Sequence, residues 1–167
     1  KIFIPQANII GIDIREDALE FANNIAKKNN VIFINASKEE PVETIKNVTH
    51  GEGVKAIIDF VGSTQTVATY IKTISPLGTY VLVGLLGARG LKLPSPFILM
   101  DTECIIQGNS MGSLPDLYEI VEFARKKRLD YRTIVTKRYN FDAEQVNKAF
   151  KEFDENKITG RQIITFN

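Results

Sequence analysis

The sequence is short of the residues that most often carry covalent or metal chemistry. It has one cysteine, Cys104, one histidine, His50, and no tryptophan. A single cysteine excludes an internal disulfide and suits a reducing compartment, so a cytoplasmic setting is expected. A catalytic zinc needs three protein ligands of the His, Cys or carboxylate type. One histidine and one cysteine far apart cannot build a His/Cys site, and no catalytic or metal-binding residue is expected within this chain. Neither a Gly-x-Ser-x-Gly elbow nor a phosphate loop is present. No apolar run approaches the roughly 20 residues of a membrane span, and no signal peptide opens the chain, so no membrane partner is expected. Charge of one sign is lacking too. Twenty-one Lys and Arg against 20 Asp and Glu leave a net charge of +1, which gives nucleic acid no basic surface to bind. The densest basic run, Arg125 to Arg128, falls at the end of a predicted helix, where cations complement the helix dipole.

What is there is an ordinary globular composition, 44% apolar and 25% charged over 167 residues, enough for one domain with a core. Strand-like apolar runs occur at Asn8–Asp13, Val31–Asn35, Ala56–Val61, Thr79–Gly84, Cys104–Gly108 and Gln162–Phe166. They are unbroken more than alternating, the pattern of strands covered on both faces. Helical stripes lie between them: Val67, Tyr70, Ile71 and Ile74; Leu114, Leu117, Val121 and Ala124; Ala143, Val146, Ala149, Phe150 and Phe153. Ser37 to Glu40 before Pro41, and Asp142 to Gln145, resemble capping boxes. Gly78 suits a left-handed helix stop. "LLGARGLKLPSPFILMD" reads as a long irregular connection. Strand alternating with helix predicts an α/β fold with a doubly wound parallel sheet.

In such sheets ligands bind at the carboxyl ends of the strands. The residues at those ends are Asp13 with Arg15, Asn35 to Ser37, Phe60 to Ser63, Val83 to Leu85, and Asn109 to Gly112. Asp13, closing the run "IIGID", is the sharpest signal, because a carboxylate there can accept both hydroxyls of an adenosine ribose. Its alternative role is to cap the helix that follows. The glycine-rich turn that normally precedes such an acid by about 20 residues is not found, the first glycine being Gly11. Asp59, inside "AIIDFVGS", is expected to bond the neighbouring loop backbone, His50 to sit in a surface turn, and Cys104 to open a strand in the core.

The series of segments resembles the carboxyl-terminal half of zinc-containing medium-chain alcohol dehydrogenases, most closely the archaeal ones. "IIGIDIREDALEFA" resembles that family's second strand and helix. "FINASKEEPVETIKNVTHGEGVKAIIDFVGS" resembles its third strand to its fourth, "ISPLGTYVLVGLLG" its fifth, "IIQGNSMGS" its sixth strand and turn, and "NKITGRQIITFN" its closing strand. The resemblance implies a Rossmann-type domain that lacks its first strand and glycine-rich turn, both expected upstream of Lys1, with "KIFIPQ" as a helix tail. It implies a single partial dinucleotide-binding domain over 1–167 with a closing carboxyl-terminal segment. The catalytic zinc domain is absent, zinc belonging to the parent family. NAD is the implied cofactor. Asp13 would take the adenosine ribose, with Arg15 beside it. Phe60, Val61 and Gly62, with Ser63, would line the adenine side. Val83, Gly84, Leu85, Asn109, Ser110 and Met111 would present backbone groups to the nicotinamide carboxamide, and Arg161 would reach the pyrophosphate.

The implied activity is hydride transfer between an alcohol or aldehyde and NAD, absent from this chain alone. Another medium-chain reductase (a polyol dehydrogenase or quinone reductase), a methyltransferase, and a non-catalytic nucleotide-binding or interaction subunit remain as alternatives. The partners implied are NAD(H) and either a homo-oligomer, dimeric or tetrameric as in the parent family, or the missing amino-terminal part. In the strand order 3-2-1-4-5-6 the missing strand is central, so Asn8–Asp13 and Ala56–Val61 are expected to lack a partner on one side each.

Overall fold

The computed structural model describes residues 7–26, 30–86, 90–93 and 95–166. The segment KIFIPQ, expected to be a helix tail, lies outside them. The chain divides into two compact units, Glu40–Asp116 and the pair Lys1–Glu39 with Leu117–Asn167. Every strand pair described is parallel, as the α/β pattern predicts.

In the split unit, β1 (Ile9–Asp13) pairs with β2 (Val31–Asn35), Ile9 opposite Val31 and Asp13 opposite Asn35. Between them α1 (Glu16–Ala26) carries Glu16 and Asp17 in its first turn, where acids favour the helix dipole, and buries Leu19. The carboxyl-terminal part adds α5 (Leu114–Arg125), which begins in the other unit, then β6 (Val135–Asn140), α6 (Ala143–Asp154) and β7 (Arg161–Thr165). β6 and β7 pair with each other. Gly160 stands at φ +80°, and a Cβ there would lie 2.6 Å from the Ile134 carbonyl and 3.0 Å from Phe21 of α1. Only glycine fits that approach.

In the unit of residues 40–116, α2 (Pro41–Val48) leads to β3 (Val54–Asp59), α3 (Thr64–Tyr70) and β4 (Ile74–Leu82). Next come α4 (Pro96–Thr102) and β5 (Ile105–Gly108). The strand order is β3-β4-β5. Val67, Ile71, Ile74 and Tyr80 form its buried centre, with Ile57, Leu82, Ile98, Cys104 and Ile106 packed around it. Among the described residues β1 bonds only to β2, and β3 only to β4.

Several local expectations are corrected. Ser37 does not cap α2. Its hydroxyl is held by Asn35 Oδ1 at 2.6 Å, and the cap position is Glu40 with no side-chain bond. The reciprocal box occurs instead at Ser63 and Thr66. Gly78 is not a helix stop but lies within β4. Leu77 takes the positive φ, and Gly78 is needed because a Cβ would meet Ile74 at 2.6 Å. The stripe through Phe150 and Phe153 does not face inward, since both are exposed. α6 instead turns Ala149 and Glu152 toward β6, where Glu152 accepts from Tyr139 at 2.7 Å. The long connection contains α4, started by Ser95 and Pro96. The run at Cys104–Gly108 begins one residue later, and Ile105 is 59% exposed, so it is not covered on both faces.

Asp59, the last residue of β3, organises the end of its sheet. It is 7% exposed. Its Oδ1 accepts from the N–H groups of Val61 and Gly62, each at 2.9 Å. Its Oδ2 accepts from the Thr66 hydroxyl at 2.7 Å and the Tyr80 hydroxyl at 2.9 Å. Burial pushes the carboxyl up, but the four donors together outweigh it and hold Asp59 below the ordinary carboxylate range. Burial, then the bond to Asp59, pushes the Tyr80 hydroxyl well up, so tyrosine stays the donor at all working pH.

An acid stronger in the folded than in the unfolded chain stabilises the fold fully above its unfolded pKa. That contribution is lost as pH falls through the folded one. Tyr80→Phe, which removes one donor while keeping the ring, is expected to cost about 1.5–3 kcal/mol at neutral pH. It should also move the acid-unfolding midpoint to higher pH in chemical and acid denaturation. An unchanged acid midpoint would contradict the assigned role of Asp59.

Candidate functional site

Parallel strands put the residues that follow them along one edge of a sheet. In the unit of residues 40–116 that edge is built from three turns. After β3, Gly62 adopts φ +64°, and a Cβ on it would lie 2.0 Å from the carbonyl oxygen of Gly84; a Cβ on Gly84 would lie 2.2 Å from the backbone of Val61. The two turns therefore touch backbone to backbone, a contact open only to glycine. Hydrogen bonds lock the stack. The N–H groups of Val83 and Gly84 both donate to the Asp59 carbonyl at 2.9 Å, Leu86 donates to Val61 at 3.1 Å, and Asn109 to Leu82 at 2.8 Å.

The structure thus brings together Phe60, Val61, Gly62, Val83, Gly84, Leu85, Asn109, Ser110 and Met111 on the carboxyl edge of one three-stranded sheet. Phe60, Leu85 and Met111 are exposed there, and Met111 holds a positive φ of 57°. The Asn109 amide donates to the Met111 carbonyl at 3.3 Å, which folds this turn on itself. The backbone N–H groups of Leu85 and Ser110 donate to no group among the described residues. They remain free to meet a ligand's acceptors.

The split unit carries the other candidates. Asp13 ends β1 and is exposed. Its Oδ1 accepts from the Arg15 N–H at 3.0 Å, which closes a turn just ahead of α1 and engages no N–H of the helix itself. Its Oδ2 has no donor among the described residues. The turn takes one oxygen of this carboxylate and leaves the other to a ligand. Arg15 is held elsewhere. Its guanidinium bonds Asp17 through Nε at 3.1 Å and Nη2 at 2.5 Å, the Ile158 carbonyl at 3.1 Å and the Thr159 hydroxyl at 3.1 Å. Arg161 opens β7, exposed, its side chain without a partner among the described residues. Asn35, at the end of β2, is buried and bonds Glu16 and Ser37.

Sequence reading did not find Asp17 and Thr159. Asp17 had the ordinary look of a first-turn acid. Thr159 stands 142 residues from it, a separation that no local pattern reports. His50 lies exposed in the turn after α2, as expected, whereas Cys104 precedes β5 and does not open it, and it is only partly buried beside the core. Among the described residues no three His, Cys, Asp or Glu side chains converge as metal ligands. No helix of the described residues is long and apolar enough to cross a membrane.

Comparison with known proteins gives this arrangement a family. A profile described as zinc-binding dehydrogenase matches residues 4–126. An NAD-dependent alcohol dehydrogenase of Sulfurisphaera tokodaii is 35% identical over 161 residues, 96% of this chain and 44% of the relative. A D-arabinose 1-dehydrogenase (NADP(+)) of Saccharolobus solfataricus is 26% identical over 165 residues, 99% of this chain and 44% of that one. Among solved structures, an alcohol dehydrogenase from Thermus sp. ATN1 superposes with a TM-score of 0.84 at 20% identity, over 96% of this chain and 44% of that one, which speaks for the fold. The chain spans less than half the length of these relatives. Its parallel strand order, its paired glycine turns and the match over most of its length agree: the chain belongs to the zinc-binding dehydrogenase family.

Proposed function

We propose that this chain is the NAD(H)-binding part of a zinc-dependent alcohol dehydrogenase that transfers hydride between an alcohol or aldehyde and NAD. In this reading residues 1–167 form one partial dinucleotide-binding domain with a closing carboxyl-terminal segment, and the catalytic zinc domain lies outside them. The observation that carries the reading is the Asp13 carboxylate at the end of β1, one oxygen fixed by the Arg15 N–H and the other unengaged. A carboxylate so placed fits the ribose diol, each charge-assisted bond being worth about 1.5–3 kcal/mol.

The remaining candidates take roles that their surroundings support. Arg15 lies beside the adenine and ribose. The exposed Phe60 ring and Val61, with Gly62, flank the adenine. Leu85 and Ser110 offer N–H groups that donate to nothing among the described residues to the nicotinamide carboxamide, with Val83, Gly84, Asn109 and Met111 shaping the backbone around them. Arg161, without a side-chain partner among the described residues, is a cation suited to the pyrophosphate. When bound, NAD supplies the hydride acceptor. The chain's own residues bind and orient it.

The residues present do not fit zinc. No ligand trio exists among those described, and no step is assigned to the metal here. The purified chain of 167 residues is therefore expected to produce no alcohol-dependent NADH, with or without added zinc, because polarising the alcohol oxygen needs a bound metal. Measurable NADH formation by the mass-verified chain would overturn this division of labour.

In the intact gene product, Asp13 should impose a preference for NAD, since a carboxylate at the ribose edge repels a 2′-phosphate. Asp13→Ser is expected to narrow the preference for NAD over NADP by about tenfold, on the order of 1.4 kcal/mol, read by titrating each cofactor. An unmodified protein that binds NADP as tightly as NAD would refute the role of Asp13.

A further inference from the structure

Dinucleotide-binding folds choose their cofactor by two opposed devices at the same place. An acid accepts the ribose 2′-hydroxyl of NAD, whereas a nearby arginine accommodates the 2′-phosphate of NADP. This chain has both within three residues, Asp13 and Arg15, and its relatives are named for either cofactor. Asp13 alone does not settle the contest, because a guanidinium free to swing to the ribose edge would offset it.

The Arg15 guanidinium is not free. An arginine has five N–H donors in a planar fork, and four hydrogen bonds here engage Nε, Nη1 and Nη2. Asp17 takes the fork side on, through both carboxylate oxygens. Thr159 closes a triangle: its hydroxyl accepts from Arg15 Nη2 at 3.1 Å and donates to Asp17 Oδ2 at 2.6 Å. The carbonyl of Ile158 takes Nη1. An isolated exposed ion pair would hold an arginine weakly. This one is bidentate and chained to two neighbouring residues of the α6–β7 connection, so reaching a phosphate would break four bonds together. Asp17 also stays charged, because the bonds from Arg15 and Thr159 hold its carboxyl down at about 2. Two carboxylates, Asp13 and Asp17, flank one guanidinium, and a phosphate dianion approaching them meets repulsion.

We propose that Asp17, seconded by Thr159, is a specificity-determining residue: it sequesters Arg15 and so denies the ribose edge a cation for a 2′-phosphate. The proposal rests on the reading that Asp13 holds the adenosine ribose. Asp17 acts through Arg15 and is a positioning residue, and its signature is the ratio of the two affinities, which a merely structural role would lower for both cofactors alike.

The test is calorimetric titration of NAD⁺ and NADP⁺ into the intact gene product. The proteins compared are the unmodified form, Asp17→Ala, Asp17→Asn, and Asp17→Ala combined with Arg15→Ala. In Asp17→Ala the NADP⁺-to-NAD⁺ ratio of Kd values is expected to fall at least tenfold, through tighter NADP⁺ binding that weakens as salt is raised. Asp17→Asn, which keeps the side-chain shape and removes the charge, should fall in the same direction and serves if the alanine variant melts early. The double variant, with the same net charge as the unmodified cluster, should return to the unmodified ratio. A ratio unmoved in both single variants would overturn the proposal. So would a ratio that falls as far in the double variant, because the gain would then not need Arg15. Failure of the underlying reading looks different: neither cofactor binds the unmodified protein, or Asp13→Ser leaves the ratio where it was.

Discussion

Two parallel strands cannot be joined by a tight hairpin. The chain must cross back through a dozen or more residues before the next strand begins. Here the crossings include α1 between β1 and β2, α3 between β3 and β4, and α6 between β6 and β7. Within each sheet, this constraint gathers the carboxyl ends on one edge and leaves them as turns, free of the pairing that fixes strand interiors. Asp13 of β1, and the turns after β3, β4 and β5, owe their positions to it. In the sheet of β3, β4 and β5, backbone groups from three separate parts of the sequence then meet at one edge without needing to be neighbours in the chain.

The turns are not left to themselves. Asp59 ties the Phe60–Gly62 turn to α3 through Thr66 and to β4 through Tyr80, and its own carbonyl receives two N–H groups from the next turn. An unpaired buried carboxylate would be strongly destabilising. Fully bonded, it rigidifies the edge. Gly62 and Gly84 complete the arrangement by letting two backbones touch. The edge is thus pre-set before any ligand arrives. In the split unit the comparable device is the Arg15–Asp17–Thr159 cluster, which fastens the start of α1 to the α6–β7 connection.

Much of this was legible in the amino-acid sequence, because apolar β-branched runs such as "IIGID" and "VIFIN" declare strands directly. Asp59 was legible too: an acid next to a strand end, followed by glycine and a small hydroxyl residue, has loop backbone within reach. β6 was not. In "VTKRYN" only Tyr139 is buried, so the strand is held by pairing with β7 and lacks an apolar signature. The first part of β4 was hidden by Ser75, Pro76 and Gly78, which read as punctuation but lie inside a strand whose register shifts at that point. α4 was hidden because its apolar residues are largely exposed and show no single buried stripe. Ser37 misled because a hydroxyl has more than one backbone or side-chain partner on offer, and Asn35 was nearer. The Thr159 contact depends on tertiary placement, so spacing carries no trace of it.

The family match and the fold rest on the whole chain; the account of what the chain binds turns on one oxygen, Asp13 Oδ2. The most direct measurement is a crystal structure of the intact gene product with NAD⁺ bound. The account predicts the adenosine ribose seated at the end of β1, with a hydroxyl within hydrogen-bond distance of Asp13 Oδ2 and the Arg15 guanidinium still held by Asp17 and Thr159. A dinucleotide bound with its ribose away from Asp13, or with Arg15 swung from Asp17 onto the cofactor, would contradict it.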